Sequence, residues 1–187
     1  PELNHKYSIH LLKGIKLCHE AIDSNCIYTI SCIDGVHGDK LSPKWLIDRI
    51  EKSGIKSINL LVDLTNYILL EQGQPLHAFD KEKLSNLIGK EVSPEDFSVR
   101  KAKDNESLVC LDGKKYELNE NITVVTCCDK PVAIAGVIGG LETSVTNTTS
   151  SIYLEGAVFN PVTIRKSSKA VGIRTESSSR YEKGISS

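Results

Sequence analysis

Methionine is absent from all 187 residues, and the chain opens on Pro-Glu-Leu-Asn. With no initiator, the sequence reads as a domain cut from a longer polypeptide. No apolar run approaches the roughly 20 residues that a membrane-spanning helix needs, and no signal peptide opens the chain. Charge of one sign is lacking too, with 23 Lys and Arg against 24 Asp and Glu and a net charge of −1. No global basicity advertises nucleic acid, so an RNA partner would have to be met by a local patch. Other signatures are missing as well. The six cysteines, Cys18, Cys26, Cys32, Cys110, Cys127 and Cys128, form no Cys-x-x-Cys. The adjacent pair Cys127-Cys128 suits neither a zinc site nor an ordinary disulfide framework. Buried, reduced thiols in an intracellular, cytoplasmic protein are expected, and the sequons at Asn121 and Asn147 are then accidental. His-Glu-x-x-His is absent and the five histidines are scattered, so no metal site is expected. There is no Gly-x-Ser-x-Gly elbow, no phosphate-loop lysine, no repeat and no low-complexity tract.

What is present looks globular. Hydrophobic residues make up 40% of the chain and charged residues 25%, at a length that suits one domain or two small interlocked ones. The first 25 residues have no clean period. "LSPKWLIDRIEKSG" predicts a helix, with Ser42 as N-cap, Pro43 at the first helical position, Leu46 and Ile50 on one face, and Gly54 as the stop. "DLTNYILLEQG" predicts a second, ended by Gly73 and barred from continuing by Pro75, with Leu64 and Ile68 on one face. From Phe97 the pattern turns to strands: "FSVRKAK", a hairpin around Asp112-Gly113, then "ITVVTC", "VAIAGVIGG" and "SIYLEGAVF". A last helix is expected from Asn160-Pro161 to about Gly172, and "SSSRYEKG" adds a turn or two. The class is therefore α+β, with helices early and late around mainly antiparallel strands.

Five features carry chemistry. His77 follows a Gly-Gln-Pro break in an apolar context, where a hydrogen-bonded core histidine and a functional one are both open readings. Asn66 could cross-link backbone or face a ligand. The glycines of "AIAGVIGG" lack dinucleotide-loop spacing but offer a strand-end turn that a ligand can approach closely. Glu155 interrupts an apolar strand. It either faces outward by strand alternation or is a buried acceptor that must find donors or take up a proton. Finally, the segment 163–184 holds Arg165, Lys166, Lys169, Arg174, Arg180 and Lys183 against Glu176 and Glu182, a solvated face or a phosphate contact.

The stretches "GIKSINLLVDLTNYILLEQGQPLHAFD", "LDGKKYEL", "AIAGVIGG" and "YLEGAVFNPVTIRKSSKAVGIRTESSSRYEKG" closely resemble the bacterial-type phenylalanyl-tRNA synthetase beta subunit. They match its central editing domain, from about Ile27 to Gly184. The resemblance implies an α+β unit of layered mixed or antiparallel sheets with flanking helices. It spans residues 27–187 as two interlocked modules forming one compact unit, after a weakly assigned segment 1–26. It implies hydrolysis of tyrosine wrongly attached to the 3′ end of tRNA(Phe). The catalytic positions carry over to Thr65, Asn66 and His77, and the substrate-binding ones to Gly139, Glu155, Thr175 and Ser177. Many relatives have alanine at the Ser177 position. Arg165, Lys166, Lys169, Arg174 and Arg180 are the expected tRNA contacts. No cofactor is implied for this stretch. ATP and Mg2+ belong to the alpha subunit, with which the beta subunit forms an alpha2beta2 tetramer that has no membrane association. The rival readings are a non-catalytic RNA-binding or assembly module and an independent hydrolase of small esters or amides.

Overall fold

The computed structural model describes residues 15–17 and 26–184. The expected N-terminal segment 1–26 therefore lies outside the described residues, apart from Cys26 and the short strand β1 (Ile15–Leu17). In chain order there follow β2 (Ile27–Asp34), α1 (Lys44–Lys52), α2 (Leu60–Gln72), β3 (Leu76–Asp80) and α3 (Lys81–Ile88). Next come β4 (Phe97–Lys101), β5 (Ser107–Val109), β6 (Lys115–Glu117), β7 (Thr123–Cys127), β8 (Lys130–Ile134) and β9 (Ile138–Gly139). The chain closes with β10 (Ser151–Val158), α4 (Pro161–Val171) and α5 (Glu176–Lys183). The α+β class holds. One sheet has the order β1-β2-β10-β3, a second β4-β7-β8-β9, and β5-β6 form a separate hairpin. All the described pairings are antiparallel.

Strand alternation gives β10 two unlike faces. Tyr153, Glu155 and Ala157 point into the main core, where Phe79, Phe97 and Tyr153 form a chain of ring contacts at centroid distances of 5.6 and 5.2 Å. Because Phe79 and Tyr153 belong to the first sheet and Phe97 to β4 of the second, those rings join the two sheets. Ile152 faces the other way and packs with Ala78 and with Leu61 of α2 in a smaller cluster. The first sheet thus lies between the second sheet and a helix.

The helix termini follow local chemistry. Asn160 accepts from the Val162 N–H at 2.8 Å ahead of Pro161, and Gly172 closes α4 at φ +70, as the sequence predicts. Helix α2 ends at Gly73 as expected but begins earlier, where Asn59 caps the Val62 N–H at 3.0 Å. Its Leu64–Ile68 stripe is not the buried one: Leu64 is exposed, while Leu61 and Leu69 are buried. Helix α1 starts after Pro43, which is itself the N-cap. Ser42 makes no cap because its hydroxyl donates to Asp63 instead, at 2.5 Å. Strands β2 and β3 and helix α3 are elements the sequence pattern did not reveal. Cys110 and Cys127 are buried free thiols as expected, but Cys32 is half-buried and Cys128 exposed. Cys26 departs from the reduced set, being disulfide-bonded.

Asp63 ties the helical layer together. It is fully buried and accepts from the Ser42 hydroxyl, the Ser57 hydroxyl at 2.6 Å and the Ile58 N–H at 2.9 Å. Replacing it leaves three donors without their acceptor, so Asp63→Ala is expected to cost about 3 kcal/mol in urea unfolding. Asp48→Ala, which removes an exposed i,i+4 pair with Lys44, is expected to cost less than about 1 kcal/mol.

Candidate active site

Strand β10 lies between β2 and β3, so Glu155 stands opposite Ile30 on one side and His77 on the other. Directly opposed residues of antiparallel strands share a face with their Cβ atoms about 5 Å apart. This face opens into a cavity of about 250 Å³, walled by α2, the start of β3, the β8–β9 turn and the N-terminal turn of α5. Thr65, Asn66, His77, Gly139, Glu155, Thr175 and Ser177, the expected pocket residues, all line it.

Glu155 is 6% exposed, which decides in favour of the buried-acceptor reading over the outward one. Its Oε2 accepts from the Tyr28 hydroxyl at 3.0 Å. Burial pushes its carboxyl up to about 7, against a smaller opposing effect of the Tyr28 hydrogen bond. His77 as a residue is half-buried, yet its Nε2 is shut off from solvent and without a hydrogen-bond partner among the described residues. Burial lowers its pKa to about 4, so the imidazole is neutral at pH 7. Its ring meets Phe79 edge to face at 4.4 Å.

Two glycines shape the wall. A methyl group at Gly139 would lie 2.3 Å from His77 Cε1 and 2.7 Å from Nε2, so only glycine lets the imidazole lie against this turn. Gly136 has φ +66, and a methyl there would meet Ile164, Tyr181 and Phe159 within 3.0 Å. Sequence reading singled out Gly139 but not Gly136, although both glycines stand in the same "AIAGVIGG" run.

The hydroxyls play different parts. Thr65 donates to the Val62 carbonyl at 2.8 Å, one turn back along α2. Thr175 caps α5 by accepting from the Ser178 N–H at 3.1 Å and donates to the Val137 carbonyl at 2.8 Å, clamping the helix to the β8–β9 turn. The side chains of Asn66 and Ser177 have no hydrogen bonds among the described residues and are available to a ligand. Two tyrosines went unnoticed in the sequence. Tyr28 lies in β2 and holds Glu155. Tyr181 lines the pocket while its hydroxyl donates to the Ala157 carbonyl at 3.0 Å. The signal for Tyr28 was the alternation of "IYTISCID", which buries Tyr28 and Ile30.

The expected tRNA contacts Arg165, Lys166 and Lys169 on α4, Arg174 before α5 and Arg180 within α5 are all exposed. Arg174 stands 3.9 Å from Glu182 and donates to the Ser179 hydroxyl at 3.2 Å, so part of its charge is already engaged. Among the described residues no group of three or more His, Cys, Asp or Glu could hold a metal ion. None of their helices is long and apolar enough to cross a membrane.

Layered antiparallel sheets with flanking helices, around a small pocket of buried polar groups, make this an α+β domain. Residues 24–187 match the B3/4 domain, and the chain belongs to that family. It is 94% identical over 187 residues to the phenylalanine–tRNA ligase beta subunit of Prochlorococcus marinus (strain MIT 9312), covering all of this chain and 23% of that one. It is 73% identical over 186 residues to the beta subunit of Prochlorococcus marinus subsp. pastoris, again covering all of this chain and 23% of that one. An N-terminal fragment of the phenylalanyl-tRNA synthetase beta subunit from Pyrococcus horikoshii aligns with a TM-score of 0.45 at 14% identity, over 83% of this chain and 46% of that one. The chain spans 23% of the length of these two bacterial relatives. The resemblance to the phenylalanyl-tRNA synthetase beta subunit read from the motifs is borne out.

The two buried titrating groups pull stability in opposite directions. His77, lowered from 6.5 to about 4, contributes stability that is present above pH 6.5 and lost as pH falls through 4. Glu155, raised from 4.5 to about 7, contributes stability that is present below pH 4.5 and lost as pH rises through 7. Glu155→Gln should remove the second loss. Relative to wild type, its unfolding free energy is expected to be about 3 kcal/mol more favourable to the fold at pH 8 than at pH 5. A gap that stays constant from pH 5 to 8 would show a Glu155 ionised throughout.

Proposed function

We propose that the cavity is an editing site, which hydrolyses the ester joining a misattached tyrosine to the 3′ end of tRNA(Phe). In this reading the domain works within a longer beta subunit, paired with an alpha subunit in the cytoplasm as an alpha2beta2 enzyme. The ATP and Mg2+ of the ligation reaction belong to the alpha subunit. The observation that carries the reading is a buried carboxylate lining the same cavity as a neutral histidine; among the described residues the carboxylate has a single side-chain donor and the histidine Nε2 has no partner.

Phenylalanine and tyrosine differ by one hydroxyl, which an apolar synthetic pocket rejects only by about 10²-fold. A second pocket built on a buried acceptor inverts the preference. Tyrosine satisfies Glu155, whereas phenylalanine leaves it short of a donor at a cost of about 1.5–3 kcal/mol. A cavity of about 250 Å³ falls below the range of about 300–1,000 Å³ typical of drug-sized ligands, and so suits one aromatic side chain. Hydrolysis then proceeds by an ordered water. An imidazole with pKa about 4 is a weak base at pH 7, so His77 helps to position that water rather than deprotonate it, together with the Asn66 amide. Thr65, tied to its own helix, shapes the wall beside them. Arg165, Lys166, Lys169, Arg174 and Arg180 hold tRNA phosphates in a salt-dependent way.

The alternative, a non-catalytic RNA-binding or assembly module, draws on one observation: the Thr65 and Thr175 hydroxyls are committed to backbone, leaving no activated nucleophile there. Hydrolysis of tyrosyl- and phenylalanyl-tRNA(Phe) separates the two, with the chain supplied alone and within an assembled beta subunit. The tyrosyl ester is expected to be lost faster. Glu155→Ala should narrow that preference by about 10-fold or more, and His77→Ala should slow loss of both esters. No loss above the spontaneous rate in either context would favour the non-catalytic module.

A further inference from the structure

We infer that Tyr28 is a positioning residue for this pocket: its phenol holds Glu155 Oε2, leaving the other carboxylate oxygen to accept from a phenol-bearing ligand. The inference rests on the editing reading for its ligand, and on geometry for everything else. In the β2–β10 register Tyr28 stands opposite Ala157, one diagonal step from Glu155 on the same face. Diagonal neighbours are about 7–8 Å apart at Cα, within reach of a long aromatic side chain, and here the hydroxyl arrives 3.0 Å from the carboxylate. Tyr28 is 2% exposed, so its hydroxyl needs a partner as much as the carboxylate does.

Among the described residues no cation shares this duty. His77 faces Glu155 from β3 as a neutral ring, and Tyr181 from α5 gives its hydroxyl to the Ala157 carbonyl. The start of α5 brings a second acid, Glu176, to the cavity wall, while α2 brings the uncharged Thr65, Asn66 and Leu69. Phenol to carboxylate is also the contact that a bound tyrosine would make. Glu155 thus carries one resident phenol and has room for one guest. Because an ionised acceptor makes hydrogen bonds about twice as strong as a neutral one, whatever keeps Glu155 ionised also sharpens the choice of tyrosine over phenylalanine. The Tyr28 hydrogen bond works in that direction, against burial.

The test compares wild type, Tyr28→Phe and a chain carrying 3-fluorotyrosine at position 28. The Glu155 carboxyl is followed by 13C NMR, with Glu155→Gln as the assignment control, and the tyrosyl-to-phenylalanyl hydrolysis ratio is measured from pH 5 to 9. Tyr28→Phe should raise the Glu155 midpoint by about one pH unit or more, and the stronger donor 3-fluorotyrosine should lower it. The pH at which tyrosine preference sets in should follow both. If Tyr28→Phe does not fold, the fluorinated chain carries the test alone. A midpoint unmoved by the substitutions would overturn the inference and make Tyr28 a packing residue. Shifted midpoints with no tyrosine preference at any pH in wild type would instead sink the editing reading and leave the hold of Tyr28 on Glu155 standing.

Discussion

A carboxyl group buried in the central strand of a sheet is the constraint to which the pocket answers. Glu155 has apolar neighbours along β10 and lies between two sheets, where an ionised group without donors would cost several kcal/mol. The fold supplies one hydrogen bond, from a tyrosine 127 residues away in sequence, and no cationic partner among the described residues. Burial therefore prevails and lifts the carboxyl to about 7, close to where a cell's pH would leave it divided between its two forms. Such a group is poorly explained as a stabilising device. It is better explained as an acceptor held ready, since perturbed pKa values in a cleft cluster at functional sites.

The same logic runs through the surrounding shell. His77 is kept neutral by the burial of Nε2 against Gly139, a contact that no side chain at 139 would permit. Gly136 lets the β8–β9 turn approach Phe159, Ile164 and Tyr181, and Thr175 clamps the start of α5 to Val137 in that turn. These are short-range steric and hydrogen-bond devices mounted on a rigid sheet pair. A buried acceptor and an imidazole facing each other across two strands are placed by strand register, more firmly than loops would place them.

Much of this was legible in the sequence, in proportion to how local the signal was. The Asn160-Pro161 start and Gly172 stop of α4, the Gly73 stop of α2 and the Asp112-Gly113 hairpin each rest on residues within a few positions of one another, and each is where it was expected. The pocket set was legible through the family motifs, and its seven residues converge on one cavity. What was lost is non-local. Strand β3 is only five residues long, and its last residue, Asp80, also caps α3, so neither element shows a full period. The buried face of α2 depends on which sheet it meets, which is why the Leu64–Ile68 stripe proved to be the outer one. The same holds for Ser42, whose expected cap gave way to a hydrogen bond with Asp63, 21 residues on. Alternation alone leaves the face of Glu155 undecided, and Tyr28 is recognisable only once β2 and β10 are paired.

Binding, unlike turnover, isolates the acceptor from the water and the ester. Calorimetry would compare two non-hydrolysable 3′-amide analogues of charged adenosine, one bearing tyrosine and the other phenylalanine. The tyrosyl analogue is expected to bind about 10-fold or more tightly, with the difference collapsing in Glu155→Ala. Equal affinities in wild type, or a preference that survives Glu155→Ala, would rule out Glu155 as the acceptor that selects tyrosine.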